Sequence, residues 1–229
     1  MIINFPVKYL ENKTTTQWGN ILARSEATKK ITRIQREKTK EILQAALDIF
    51  SIHGFRGSTI DMIADKTSLS KASILYYFDS KEAIHSQLIK KLLEKWLEPL
   101  HTIESSGNPI EEICGYVRRK LEMARDFPKE SRLFANEILQ GAPHFLTELT
   151  GPLRELTDNK AEVILQWSKT GKIAKLNPHH LIFSIWATTQ HYADFDVQVK
   201  AVLNSNSNDH FEQAFEFLDN MYRATLSPN

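Results

Sequence analysis

Ser70–Ile84 reads SKASILYYFDSKEAI, a run that brings two phenols, two lysines and several hydroxyls together. Neighbouring side chains on a helix diverge by about 100°, so a helix built only to bury itself would not set Tyr76 beside Tyr77. These residue types suit a phosphate-lined duplex. Ser70 and Ser73 can donate to or accept from bases and phosphates, and Ala72 is small enough to let the backbone approach a thymine methyl. Lys71 adds charge, and the hydroxyls of Tyr76 and Tyr77 can reach flanking phosphates. Thr59 and Lys81 stand at helix starts, where exposed amides favour an anion. One tyrosine can still turn its ring inward while its hydroxyl stays wet.

A second group of residues suits a small planar guest. From Pro178 onward, Ile182, Trp186, Gln190, Ala193 and Val197 recur at helical spacing and are expected to share a face. Trp186 can stack on a flat ring, and the Gln190 carboxamide offers both a donor and an acceptor to its edge. Trp96 and Thr189 are further candidates. Arg125 and Asn136 could add hydrogen bonds from neighbouring helices.

Catalytic chemistry finds less support. Cys114 has no nearby histidine, and the Thr170–Lys172 run lacks the preceding glycine of a phosphate-binding loop. His179 and His180 open a helix, where histidine is commonly exposed. His191 and Asp194 lie one turn apart without an evident third ligand. No enzyme activity, cofactor or bound metal is expected.

The elements that would position these groups are helices. Ile42, Ala45, Ala46, Ile49 and Phe50 repeat at three and four, and Gly54 can take the left-handed cap that ends that helix. Ser58 or Thr59 can cap a short helix over 60–66, and Ser70 another over 71–77. Asp79 is expected to cap a long fourth helix, with Glu82 at the capping-box spacing. Ile84, Leu88, Leu92, Trp96 and Leu100 form its stripe. Further helices are expected at about 109–126, 129–140, 147–169, 178–203 and 209–225, separated by turn-forming residues. Two short helices packed under a first, the second capped by serine, describe a helix-turn-helix, whose second helix lies in the major groove. Phe211, Phe215, Leu218 and Tyr222 form an apolar stripe that could build an intermolecular four-helix bundle or fold back on its own chain.

The net charge of +1 hides an asymmetry. Residues 1–90 hold 14 Lys and Arg against 9 Asp and Glu, whereas residues 91–229 hold 15 against 19. Basic residues gather at Arg24, Lys29, Lys30, Arg33, Arg36, Lys38 and Lys40, the footprint of an arm for a polyanion. Lys38 is counted among the DNA contacts. The single cysteine allows no internal disulfide, and no apolar run approaches the roughly 20 residues of a membrane span. A cytoplasmic protein without a membrane partner is expected.

The segment ILQAALDIFSIHGFRGSTIDMIADKTSLSKASILYYFDSKEAI resembles the DNA-binding domain of the TetR family of regulators nearly end to end. Its one marked departure is Leu75, where many members carry a tyrosine. KLEMARDFPKESRLFANEILQGAP and NPHHLIFSIWATTQHYADFDVQV are similar to RutR-type regulators of pyrimidine utilisation. The resemblance implies an all-α chain with an N-terminal three-helix DNA-binding domain and a C-terminal helical domain for ligand binding and dimerisation. The corresponding boundaries are 1–36 for a weakly structured basic arm, 37–83 for the helix-turn-helix and 84–229 for the remainder. It further implies a homodimeric repressor on a palindromic operator in double-stranded DNA. Release by a pyrimidine such as uracil or thymine would control pyrimidine or nitrogen utilisation genes. A different effector, or an activating or global regulator, stays open.

Overall fold

Residues 33–204 and 209–228 are described by the computed structural model, and among them every regular element is helical. The chain divides into two units, 1–38 and 39–229. Of the first, only the start of helix α1 (Arg33–His53) is described, where Arg33 donates to Glu37 at 2.9 Å. The arm expected over 1–36 is therefore already helical from Arg33. Arg24, Lys29 and Lys30 lie outside the described residues.

In the second unit the local signals act much as their chemistry predicts. Ile42, Ala45, Ala46, Ile49 and Phe50 are all buried. Gly54, at φ +66°, ends α1 by donating its N–H to the Phe50 carbonyl at 2.9 Å. Thr59 caps α2 (Ile60–Asp65), its hydroxyl accepting from Met62 N at 3.2 Å. Ser70 caps α3 (Lys71–Tyr77) in the same way through Ser73 N. One cap is displaced: Ser80, not Asp79, caps α4 (Lys81–His101), accepting from Ala83 N at 3.2 Å. Both residues are capable acceptors, but the extended backbone falls at Ser80, which puts Glu82 at the second helical position and outside a capping box.

The remaining helices are α5 (Pro109–Asp126), α6 (Pro128–Leu139), α7 (Arg154–Lys169), α8 (Pro178–Asp194), α9 (Asp196–Leu203) and α10 (His210–Leu226). A helical turn at Leu146–Glu148 and a π-helical turn at Leu149–Leu153, which contains Pro152, lead into α7. The helix expected over 178–203 breaks at Phe195, whose ψ of 29° leaves the helical range. Val197 consequently sits on α9, 83% exposed, and does not share the face of Trp186.

Helix α5 is central, packed against both α8 and α10. Its buried Ile113, Tyr116, Val117 and Leu121 join Ile182 and Ile185 of α8 and residues of α10 in one core. A second core joins α1–α3 to α6 through the buried face of α4, from Ile84 to Trp96, while Leu100 belongs to the first. Helix α4 is thus a single rod buried in both cores. Phe211, Leu218 and Tyr222 also lie inside the first core, 2–6% exposed, so the stripe expected at a dimer surface folds back on its own chain. Phe215 is half-buried, with the Arg118 guanidinium 3.4 Å from its ring centroid. Burying this face against α5 and α8 removes it from water without a second subunit. The exposed aromatics on these helices are instead Phe183 (47%) and Phe217 (64%).

Candidate nucleic-acid interface and interior cavity

The start of α3 gathers hydroxyls around one cap. Ser70 and Ser73 lie 2.9 Å apart through their oxygens, with Lys71 and Ala72 exposed between them. The Lys71 ammonium bonds Asp61 of α2 at 2.8 Å; both side chains are more than half exposed, so this ion pair is worth little and can be exchanged for a phosphate. Tyr76 is 74% exposed and meets the half-buried Tyr77 edge-on at 5.3 Å. Tyr77 packs on the core together with Ile74 and Phe78, as its neighbour points outward. Leu75 is also exposed. Lys38 lies in α1, in the first unit.

Lys81 does something other than expected. Its ammonium donates to the carbonyls of Phe55 and Ser58, each at 2.8 Å, and sits 4.2 Å from the centre of the Phe55 ring. Two carbonyl acceptors and an aromatic face hold the charge inward. The residue staples the α1–α2 loop to the start of α4 rather than presenting its charge to a phosphate.

A cavity of about 260 Å³ opens beneath α4, between α5, α6 and α8. Trp96, Tyr116, Lys120, Phe134, Trp186 and Gln190 supply most of its chemistry. It lies just under the roughly 300–1,000 Å³ of drug-sized pockets, so its guest must be small. Trp186 donates its indole N–H to the Tyr116 hydroxyl at 2.7 Å, fixing that ring. The Trp96 indole N–H is buried without a hydrogen-bond partner. Such an orphan donor costs on the order of 1–3 kcal/mol. Lys120 is 2% exposed, its ammonium 5.0 Å from the Trp96 ring centre. Burial pushes its pKa down to about 7, against the pull of the Asp194 carboxylate.

Of the six residues expected to read a guest, Trp96, Trp186 and Gln190 line this cavity. Asn136 borders an adjoining groove that shares Phe134, Ile138 and Gln190 with it. Thr189 is fully buried and spends its hydroxyl on the Ile185 carbonyl at 2.7 Å, so it faces its own helix. Arg125 lies at the surface, held by Asp126 at 2.8 Å and beside a shallow groove against Phe211 and Phe215. It is removed from the cavity because it falls on the polar side of α5.

Lys120 and Tyr116 were not anticipated, although their register offered a signal. On α5 the buried stripe runs Ile113, Tyr116, Val117, Leu121 and Ala124, and Lys120 falls inside it at i+3 and i+4. A lysine in a buried register needs a reason.

The other candidate polar residues have partners within the chain. His179 bonds Asp158 at 2.9 Å, Asp194 accepts from the Ser131 hydroxyl at 2.6 Å, and His191 stacks on Phe195 at 5.0 Å. Cys114 is buried, and desolvation pushes its thiol up to about 12, leaving no thiolate at neutral pH. Among the described residues no helix is long and apolar enough to cross a membrane.

Comparison with known proteins finds family-model matches in both parts of the chain. The family model described as bacterial regulatory proteins, tetR family, matches residues 42–88. That described as YcdC-like protein, C-terminal region, matches residues 89–229. The HTH-type transcriptional regulator RutR of Escherichia coli K12 is 46% identical over 193 residues, which cover 83% of this chain and 91% of that protein. Among solved structures, the ketosteroid transcriptional regulator KstR2 of Mycobacterium tuberculosis superposes with a TM-score of 0.65 at 16% identity, covering 84% of this chain and 96% of that one. The transcriptional regulator SCO4942 of Streptomyces coelicolor gives 0.64 at 19% identity, covering 83% and 98%.

Proposed function

The chain belongs to the TetR family as a DNA-binding transcriptional regulator of RutR type, and from that premise we propose that it is a homodimeric repressor released from a palindromic operator by a small planar base such as uracil or thymine. The observation that carries this reading is the cavity flanked by Trp96 and Trp186, with the Gln190 carboxamide and the buried Lys120 amine on its wall. A pyrimidine offers two faces for aromatic contact and an edge of alternating N–H and C=O groups. Gln190 can match donor to acceptor along that edge. The Lys120 amine supplies a donor for a carbonyl oxygen.

Thr59, Ser70, Lys71, Ala72, Ser73, Tyr76 and Tyr77 are the residues proposed to meet DNA. The serines and Ala72 stand over base edges, and the tyrosine hydroxyls and Lys71 meet the backbone. Release follows from the path of α4. It opens at the Lys81 staple beneath the reading helices and carries Trp96, a wall of the cavity. A guest packed on Trp96 biases the tilt of that rod. In a dimer the two α3 helices must stand about 34–36 Å apart to enter successive major grooves, so a tilt changes their spacing.

The test is quenching of tryptophan fluorescence by a panel of pyrimidines, purines and unrelated planar compounds. The reading expects saturable quenching by uracil or thymine that is lost in Gln190→Ala, while that variant still binds operator. A Gln190→Ala chain that loses both properties would make the residue structural, and quenching only by compounds outside the pyrimidines would reassign the effector.

A further inference from the structure

His85 of α4, Glu137 of α6 and His144 of the following turn converge beside the helix-turn-helix, away from the cavity. Their ligand atoms all lie within 4.8 Å of one another. Glu137 Oε1 is 3.2 Å from His144 Nδ1, and Oε2 is 3.7 Å from His85 Nε2. His85 and Glu137 are 1% and 3% exposed.

The Glu137 carboxylate has His144 as a hydrogen-bond partner, through Nδ1 at 3.2 Å, but His85 is left unsatisfied. At 3.7 Å neither tautomer of His85 makes a hydrogen bond to the carboxylate, and its Nδ1 is buried with no partner. Among the described residues the ion-pair partners of Glu137 are these two histidines and no lysine or arginine. The nearby Lys81 ammonium is committed to the Phe55 and Ser58 carbonyls. The turn carrying His144 is built at a cost: Gly141 and Ala142 take φ of +87° and +53°, and left-handed backbone is unfavourable for alanine. That turn is closed onto Glu137, whose backbone carbonyl accepts from Ala142 N and whose carboxylate accepts from His144 N, each at 2.9 Å.

We propose that His85, Glu137 and His144 form a site for a divalent first-row transition ion of the zinc kind. Two imidazoles and a carboxylate are borderline donors that suit such ions, at bonds of about 2.0–2.2 Å. Ligands on a tetrahedral ion stand roughly 3.4 Å apart, and from the single oxygen Glu137 Oε2 the His144 Nδ1 and His85 Nε2 lie 3.5 and 3.7 Å away. The two histidine nitrogens, within 4.8 Å of each other, must close by up to roughly 1.4 Å, and His144 is the most exposed of the three. The ion would neutralise Glu137, taking the Nε2 lone pair of His85 and the Nδ1 lone pair of His144 in place of the His144–Glu137 hydrogen bond.

Its position gives it a consequence for DNA. The Phe55 ring lies 4.9 Å from His85 and 4.4 Å from His144, and the Phe55 carbonyl is one anchor of the Lys81 staple. Drawing His144 toward His85 therefore acts on the loop that aims α2 and α3. This inference is independent of the identity of the effector.

The test uses the untagged full chain, stripped of metal and titrated with Zn²⁺ against a chromophoric chelator, with Co²⁺ spectra as a second readout. One Zn²⁺ per chain is expected, held at least about tenfold more weakly by His144→Ala and by Glu137→Gln. The Co²⁺ chain should show d–d bands of nitrogen and oxygen ligands that these changes remove. His144→Ala alters the most exposed ligand, and melting of the metal-free variant confirms its fold. Failure of the chain to compete with the chelator, or equal zinc retention by wild type and both variants, would overturn the assignment.

Discussion

Lys81 and Lys71 show how far a residue's type can differ from its use. Both are lysines at helix starts, but Lys81 is held by two carbonyls whereas Lys71, among the described residues, is held by an exposed aspartate. Lys71→Ala should weaken operator binding across all sequences and lower the magnitude of the salt slope by about one, measured by anisotropy titration over a salt series. Lys81→Ala should instead lower the melting temperature through loss of the staple. Lys120 carries a pH signature. Its folded pKa, near 7, lies below its usual value of 10.5, so between these limits the unfolded chain binds the extra proton. Stability contributed by this group therefore rises with pH across about 7–10.5 and is at its lowest below 7. Lys120→Met should flatten that rise, a difference on the order of a few kcal/mol at neutral pH and below, read from urea unfolding at several pH values.

The elements that were legible are those set by local chemistry. Thr59, Ser70 and Gly54 mark helix ends through bonds spanning three or four residues, and all three act where their types predict. The choice between Asp79 and Ser80 was not legible, since both can cap and a one-residue shift is decided by packing. The Phe195 break, the Lys81 staple and the pairing of His85 with Glu137 depend on contacts between segments distant in sequence. Of the cavity, Trp96, Trp186 and Gln190 could be read from helical spacing. Arg125 and Thr189 could not be rejected without knowing which way α5 and α8 face. At Gly57 an added Cβ would collide with the His53 carbonyl oxygen. Gly57→Ala should destabilise the chain by more than about 1 kcal/mol in chemical denaturation and disturb the loop that aims α2. Ser80→Ala should cost about 1 kcal/mol by loss of its cap.

For the whole molecule, an amphipathic stripe on α10 does not by itself say whether its partner is the same chain or another. Phe211, Leu218 and Tyr222 are spent inside the subunit, and Phe183 and Phe217, exposed on α8 and α10, are proposed for a subunit interface. Phe217→Glu should shift sedimentation from dimer to monomer and abolish tight operator binding without unfolding the chain. A filled cavity and a bound operator are expected to oppose each other. Coupling of this kind is typically about 1–3 kcal/mol, a 5- to 150-fold change in affinity. The most direct measurement is operator affinity, by anisotropy, with and without uracil or thymine at concentrations that saturate tryptophan quenching. A rise in Kd of at least about fivefold is predicted, whereas an unchanged Kd with the cavity demonstrably filled would contradict the account.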